Sequence, residues 1–153
     1  MMNTTPAAEA TERRGNFVLL RADTLRLLLP QSDVGAATYL DQAPQATELA
    51  GLFEHHGEAG EQAVLALSSR MVPLEQYPSD RFLVTPIATA MGDIGFCWSE
   101  VSVLIDARLQ PKPLPTALAA PGAPLQEFVE IGDDVVFCCS AERLAEFALA
   151  RQG

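Results

Sequence analysis

Positive charge is scarce in this sequence. Lys112 is its single lysine, and no lysine or arginine stands between Arg26 and Arg70, an interval that holds six acidic residues. Over the whole chain 20 acidic residues face 10 basic ones, and the formal net charge is −10. A nucleic-acid-binding protein needs a basic surface that replaces the counterions of the phosphates. The composition therefore argues against nucleic-acid binding, and the acidic surface favours solubility or the steering of a basic partner.

Long hydrophobic runs are also missing. The longest local run, Leu25 to Leu29, contains Arg26 and ends at Pro30, far short of the roughly 20 apolar residues that a membrane-spanning helix needs. The N-terminal stretch has no apolar segment of the kind that secretory signals carry. We therefore expect no membrane insertion and a cytoplasmic location.

Cysteine is rare, with only Cys97, Cys138 and Cys139 present. The number is odd, and the spacing fits neither a disulfide framework nor a zinc site. Free cysteine behaves as a small hydrophobic residue. Because neighbouring side chains of a strand point to opposite faces, we expect Cys138 and Cys139 to face different layers.

Histidine occurs only as the pair His55-His56. Neighbouring side chains diverge on either a helix or a strand, so the two do not easily share one ion. Glu54 and Glu58 are near enough in sequence to join one of them in a weak metal site. The alternatives are a solvated polar loop and a small ligand- or metal-sensing domain that uses this pair.

Recognisable catalytic motifs are absent as well. The chain contains no G-x-S-x-G, no phosphate-binding loop and no G-x-G-x-x-G. Glu100 follows Trp98 in an apolar stretch, and it is either a catalytic acid of raised pKa or the partner of an arginine such as Arg81, which we favour. Trp98 is either a core residue, which we favour, or an exposed interface anchor. We expect a protein that is not an enzyme and binds no cofactor.

The clearest positive pattern runs from Arg81 to Ile105. An apolar run that ends at Ile87 is followed by a turn at Met91-Gly92-Asp93, where glycine tolerates the positive φ of tight hairpins. Ile94, Phe96 and Trp98 then alternate with smaller residues, and Val101, Val103 and Ile105 carry the pattern on. This period of two predicts a strand, a turn and a second, longer strand.

Smaller elements are predicted around this hairpin. Residues 1–15 are polar and without periodicity, and we expect a disordered tail there, followed by one domain over residues 16–150. Asn16 to Leu29 reads as a hairpin that turns at Asp23, and a strand is predicted from Gln62. Thr47 to His55 is compatible with a short helix capped by Thr47.

The C-terminal third begins with prolines. Five of them between Pro111 and Pro124 predict an extended path. A turn at Gly132-Asp133, a last strand and a helix over 141–150 with Ser140 as its N-cap follow. Short strands with regular turn signals and one short C-terminal helix predict an all-β fold, a β-barrel or a β-sandwich.

Several short segments follow one another in an order that is typical of a known family. They are Leu29-Pro30 with Val34, Ala63 to Arg70, Arg81 to Thr85, Ile94-Gly95, Glu100-Val101, Leu114-Pro115, and Gly132 to Leu144. In order and spacing they resemble the CheW-like domain of bacterial chemotaxis coupling proteins, over about residues 17–149. Two features depart from that pattern. HHGEAGEQ, at 55–62, replaces an Asn-x-Arg-Gly segment, and Ser68 replaces an aspartate.

The resemblance implies two small five-stranded β-barrels packed against each other. It implies a non-enzymatic adaptor that couples a chemoreceptor cytoplasmic domain to a CheA-type histidine kinase, in chemotaxis or in type IV pilus control. For the partner interface we expect Val34, Leu40, Phe53 and Ser68, which lie in segments with little internal pattern or at a departure from the family.

Overall fold

The computed structural model describes residues 12–57, 60–89, 92–115, 125 and 127–150. In chain order the strands are β1 (Arg13–Ala22), β2 (Leu25–Pro30), β3 (Thr38–Tyr39), β4 (Gln45–Ala46), β5 (Leu52–Gly57), β6 (Gly60–Leu65), β7 (Leu83–Thr89), β8 (Gly92–Trp98), β9 (Glu100–Leu109), β10 (Lys112–Pro113), β11 (Glu127–Ile131) and β12 (Asp134–Cys138), followed by helix α1 (Ala141–Ala150). A single 3₁₀ turn, Gln31–Asp33, follows β2. The predicted all-β class with one C-terminal helix is confirmed.

The strands form two sheets. Sheet A has the order β10-β11-β12-β2-β1-β9 and comes from the two ends of the chain. Sheet B has the order β3-β7-β8-β6-β5-β4 and comes from the middle. In the described part of the chain each sheet has six strands, where the resemblance implied five. Two-residue strands lie at the edges, β10 in sheet A and β3 and β4 in sheet B.

Two predicted turns are confirmed in sheet A. Ala22 pairs with Leu25, so Asp23 and Thr24 form the loop between β1 and β2, and Asp23 has a φ of 56°, which aspartate tolerates better than most residues. Ile131 pairs with Asp134 in the same way around Gly132, whose φ is 63°. In sheet B, Thr89 pairs with Gly92, and the predicted turn residue Met91 lies outside the described residues.

The predicted long strand after that turn is in fact two strands in two sheets. β8 pairs with β7 and β6 in sheet B, whereas β9 pairs with β1 in sheet A. The change occurs at Ser99, whose backbone N–H and hydroxyl both donate to the carbonyl of Arg21, at 2.8 and 3.0 Å. The apolar alternation shifts by one position here, from Ile94, Phe96 and Trp98 to Val101, Val103 and Ile105. This shift is the local sequence signal of the change of sheet, and the prediction of one long strand passed over it.

Two further boundaries differ from the prediction. β1 begins at Arg13, three residues before the expected start of the domain, and residues 1–11 lie outside the described part. The helix predicted over Thr47 to His55 is wrong, because this segment is a turn followed by β5. The Thr47 hydroxyl donates to the Leu52 carbonyl at 2.8 Å and accepts from the Leu49 N–H at 3.2 Å, which closes the turn.

The main apolar cluster draws on both sheets and the helix. Its members include Val18, Leu20, Leu27, Ile87, Phe96, Trp98, Leu144 and Ala148. Two smaller clusters lie within the individual sheets, one around Phe53 and Val64 in sheet B and one around Val129 and Val136 in sheet A. Since each fully buried aliphatic or aromatic side chain contributes about 1.5–3 kcal/mol, the shared cluster is what fixes the two sheets to one another.

Candidate functional site

Of the four predicted partner residues, the structure buries Leu40 and Phe53 and leaves Val34 and Ser68 partly exposed. Leu40 and Phe53 are 3% and 2% exposed, so both are core residues of sheet B. Phe82 and Tyr77 pack over that cluster, with Tyr77 in edge-to-face contact with Phe53 at a centroid distance of 5.3 Å. The weak sequence pattern around Leu40 and Phe53 reflects short strands rather than exposure. Neither side chain is accessible to a partner in this conformation.

Val34 and Ser68 are half-buried. Val34 forms an isolated bridge with Ile87 and packs against the main apolar cluster. The Ser68 hydroxyl accepts from the N–H groups of Arg70 and Val72, both at 3.2 Å, and so closes a local turn. The structure does not bring these two residues and the buried pair together as one apolar surface.

The exposed apolar side chains lie elsewhere. The larger ones are Tyr39, Leu49, Val72, Val103, Ile105 and Val135. Tyr39 is 73% exposed and its ring stacks on Phe82 at a centroid distance of 6.0 Å. Val103 and Ile105 belong to the apolar pattern that predicted the second strand of the hairpin. They are exposed because β9 lies at the edge of sheet A.

The histidines lie in β5 and contact different acidic side chains. His55 Nε2 is 3.4 Å from Asp41 Oδ1, and His56 Nδ1 is 3.4 Å from Glu61 Oε1. His56 Nε2 also lies 3.8 Å from Glu54 Oε2. Within the described ranges no group of three or more metal-ligating side chains is arranged to hold an ion. The metal-sensing alternative therefore gains no support, and Glu58 lies outside the described residues.

Arg81 connects the two sheets, and the predicted arginine partner of Glu100 is Arg21 rather than Arg81. The Arg81 side chain is fully buried, and its Nη2 donates to Asp23 Oδ2 in the β1–β2 turn at 2.9 Å. Its Nη1 donates to the carbonyl of Leu67. Glu100 is exposed instead and lies 3.8 Å from Arg21. No sequence signal identifies Asp23 as the partner, because 58 residues separate it from Arg81.

The core interpretation of Trp98 is confirmed. The side chain is 3% exposed, and its Nε1 donates to Thr85 Oγ1 at 2.8 Å. Its ring stacks on Phe96 at a centroid distance of 6.2 Å. With Trp98 in the core and Glu100 in solvent, the Trp98-Ser99-Glu100 segment forms no catalytic arrangement.

All three thiols have raised pKa values, and burial is the largest cause in each case. Burial raises the pKa of Cys97, which lies among the core residues of sheet B. It raises the pKa of Cys138 to about 11 and that of Cys139 to about 12. The thiols are therefore protonated near neutral pH, which makes them weak nucleophiles and weak metal ligands.

A cavity of about 440 Å³ lies at one end of sheet A. Its wall is formed where β1 begins, where β2, β9 and β12 end and where α1 starts. The lining residues are Arg13, Phe17, Leu28, Pro30, Leu109, Pro111, Glu127, Cys138, Cys139, Ser140 and Arg143. Cys138 and Cys139 both line this cavity, but they pack against different clusters as expected, Cys138 against the sheet A cluster and Cys139 against the main one. We call this space the sheet A cavity.

The polar groups at the rim of the sheet A cavity are partly paired. Arg13 Nη2 donates to Glu127 Oε1 at 2.6 Å. The Ser140 hydroxyl accepts from the N–H of Arg143 at 3.2 Å, which confirms Ser140 as the N-cap of α1. Asp33 Oδ2 accepts from the N–H of Ala141 at 3.1 Å. Two of the N–H groups that a helix start leaves free are therefore bonded within the protein.

Comparison with known proteins places the fold. No family model matches the sequence, and no curated protein matches it either. Among solved structures, the crystal structure of scaffolding protein TtCheW from Thermoanaerobacter tengcongensis is similar, with a TM-score of 0.58 and 14% identity, over 86% of this chain and 92% of that one. The likeness shows a CheW-like fold, as the sequence resemblance implied. In the described part of the chain, no helix is both long and apolar enough to span a bilayer.

Proposed function

We propose that this protein is a non-enzymatic adaptor of bacterial chemosensory signalling. The observation that carries the proposal is the fold, which it shares over most of its length with a protein described as a scaffolding protein. The site geometry agrees with it, because Glu100 is exposed and the thiols are protonated, so the candidate catalytic groups of the sequence form no reacting set. In this proposal the chain works in the cytoplasm, without a cofactor, as one domain of two β subdomains.

The partners we propose are a CheA-type histidine kinase and the cytoplasmic domain of a chemoreceptor. The sequence resemblance to coupling proteins supports both partners. It is compatible with an array for chemotaxis and with one for type IV pilus control. The acidic composition supports a basic contact surface on the partner, since opposite charge speeds encounter.

For the contact surface we propose the exposed end of sheet B around Tyr39. Tyrosine is enriched among residues that dominate binding energies, since it offers a large, rigid side chain with a polar tip. Tyr39 is highly exposed and yet held by Phe82, which in turn packs on the cluster of Leu40 and Phe53. Leu40 and Phe53, which were expected at the interface, would then act indirectly, because they pack against Phe82 and so hold Tyr39 in place.

The proposal is tested by measuring binding of the purified full chain to the kinase regulatory domain and to the receptor cytoplasmic domain of its own host. We expect micromolar or tighter binding to at least one of them by isothermal titration calorimetry. Tyr39→Ala is expected to weaken that binding at least tenfold, about 1.4 kcal/mol. Val135→Ala, which removes an exposed apolar side chain from sheet A, serves as the matched control and leaves binding unchanged.

Two results would contradict parts of this proposal separately. Absence of binding to both fragments at micromolar concentrations would remove the coupling function. Binding that is unchanged by Tyr39→Ala but lost in Val135→Ala would keep the adaptor function and move the contact surface to sheet A.

A further inference from the structure

The sheet A cavity has the size and wall of a small-molecule site. Its volume of about 440 Å³ falls within the roughly 300–1,000 Å³ that is usual for ligand pockets, which often lie at the mouths of β-barrels. Phe17, Leu28 and Leu109 give it an apolar wall, and Pro30 and Pro111 extend that wall. A ligand with an apolar body would therefore release water from both surfaces when it enters.

The charges at the rim favour an anion. Arg13, Arg143 and Glu127 are the charged residues of the lining, so the cavity carries one net positive charge in a protein whose net charge is −10. Arg13 is already bound to Glu127. The Arg143 guanidinium forms no ion pair with any described residue, and it is therefore the cation that remains for a ligand.

The other polar groups of the wall do not change this balance. Ser140 of the wall binds the Arg143 N–H, and Asp33, which is not a lining residue, binds the Ala141 N–H, so two N–H groups at the helix start are already bonded within the protein. Burial holds the pKa of Cys138 and Cys139 well above neutrality, so neither thiol contributes negative charge. Protonated thiols are also poor metal ligands, which argues against a cation as the ligand.

We propose that the sheet A cavity binds a small amphipathic monocarboxylate. Its carboxylate pairs with the Arg143 guanidinium, whose planar fork matches a carboxylate. Its apolar body lies against Phe17, Leu28 and Leu109. This site is in sheet A, apart from the Tyr39 surface of sheet B, and does not depend on the adaptor function.

The first experiment compares octanoate with 1-octanol, which has the same chain length without the charge. Calorimetric titration of the full chain is expected to show one site for octanoate, bound at least tenfold more tightly than 1-octanol. Arg143→Gln is expected to weaken octanoate about tenfold, the loss of one charge-assisted contact, and to leave 1-octanol unchanged. Arg70→Gln removes one positive charge from an exposed loop far from the lining and is the matched control with no effect.

The second experiment locates the ligand without using affinity. Octanoate is expected to slow the alkylation of Cys138 and Cys139 by iodoacetamide at pH 9 at least fivefold, measured from the fragment ions of the one peptide that carries both residues. Cys97 lies outside the cavity, in the core of sheet B, and its rate reports any general change in unfolding.

Three outcomes would overturn the proposal. They are no octanoate binding up to millimolar concentration, equal binding of octanoate and 1-octanol, and octanoate binding that leaves the labelling of Cys138 and Cys139 unchanged. An equal loss of octanoate affinity in Arg143→Gln and Arg70→Gln would also overturn it, because the general field of the protein would then account for the preference.

Discussion

Sheet A and sheet B share a plan but differ in chemistry. Each joins two antiparallel hairpins through one parallel pair, β12 with β2 in sheet A and β6 with β8 in sheet B. All lysine and arginine residues of the strands lie in sheet A, and the strands of sheet B contain none. Ion pairs such as Arg13–Glu127 and Arg14–Asp106 cross between strands of sheet A, whereas sheet B depends on buried apolar and aromatic side chains. Because exposed ion pairs contribute little, packing is the main stabilising contribution in both sheets. In the described strands of sheet B, the contacts between side chains of opposite charge type are those of His55 and His56 with carboxylates.

The largest effect is expected from the core of sheet B. Phe53→Ala removes a fully buried ring, and we expect the free energy of unfolding in urea to fall by about 3–5 kcal/mol. Tyr39→Ala truncates an exposed aromatic residue of the same sheet and is expected to change it by less than about 0.5 kcal/mol. Equal losses in the two variants would show that the sheet B cluster is not the packed core described above.

The next largest effect is expected at Arg81, which joins the two sheets and so tests whether polar contacts contribute to holding them together. Arg81→Met keeps much of the side-chain length but removes the bonds to Asp23 and to the Leu67 carbonyl, and we expect a loss of about 2–3 kcal/mol. Asp23→Asn keeps a hydrogen-bonding side chain at a half-exposed position and is expected to cost about 1 kcal/mol. Urea unfolding monitored by Trp98 fluorescence measures both losses. A loss no greater for Arg81→Met than for Asp23→Asn would mean that the sheets are held by the apolar cluster alone.

A smaller effect is expected at the start of α1. Ser140→Ala removes the acceptor of the Arg143 N–H and is expected to lower the free energy of unfolding by about 1 kcal/mol. Ser102→Ala, at an exposed position of β9, is the control and should leave it unchanged. Thermal unfolding followed by far-ultraviolet circular dichroism measures the difference. An equal effect of the two substitutions would contradict the capping contact.

The smallest expected effect concerns the reactivity of the thiols, which differs between Cys97 in sheet B and the pair Cys138-Cys139 at the end of β12. Burial raises the pKa of Cys139 further than that of Cys138, so a smaller fraction of Cys139 is thiolate at pH 9, and alkylation of Cys138 should be the faster of the two. Cys97 in sheet B should react most slowly because it is buried. Equal rates for Cys138 and Cys139 would contradict the difference in their surroundings.

The same shifts predict the direction of an alkaline effect on stability. Burial raises the pKa of the folded thiols above the ordinary value of 9.0. The unfolded chain therefore loses these protons first, and the free energy of unfolding should fall as the pH rises above about 9 towards the folded values. Below pH 8 the ionisation of these thiols should not change the free energy of unfolding. Unfolding in urea at pH 7, 8 and 10, compared with the same series for Cys138→Ser, measures the contribution of sheet A.

Local features of the fold were predictable from the sequence, and tertiary ones were not. The turns at Asp23 and Gly132 and the cap at Ser140 depend on residues next to one another, so the sequence predicted them correctly. Burial of Leu40 and Phe53 depends on which distant side chains cover them, and nothing in their own segments shows it. Thr47 carries the chemistry of a helix cap, but the same hydroxyl closes a turn when the following residues pair with β6.

The candidate sites show the same limit. The sheet A cavity takes its wall from five strands and the helix, and its two arginines are 130 residues apart in numbering. The spacing of residues within any one segment does not show that Arg13 and Arg143 lie at the same rim. The pairing of β1, β2 and β12 shows it. Conversely, the histidine pair stood out in the sequence because histidine is rare, although the structure gives the two residues separate partners.

The change of sheet at Ser99 also bears on how the chain assembles. All strands of sheet B fall within residues 38–98, whereas β1 can pair with β9 only after the chain has passed Ser99. We expect the middle of the chain to form its pairings during synthesis, before β9 and β12, the later partners of β1 and β2, are made. The paired residues of β1 and β9 are 79 to 96 positions apart, and those of β2 and β12 are 110 positions apart. Contacts of such long sequence separation close slowly, so the last steps of folding should be the pairing of β9 with β1 and of β12 with β2.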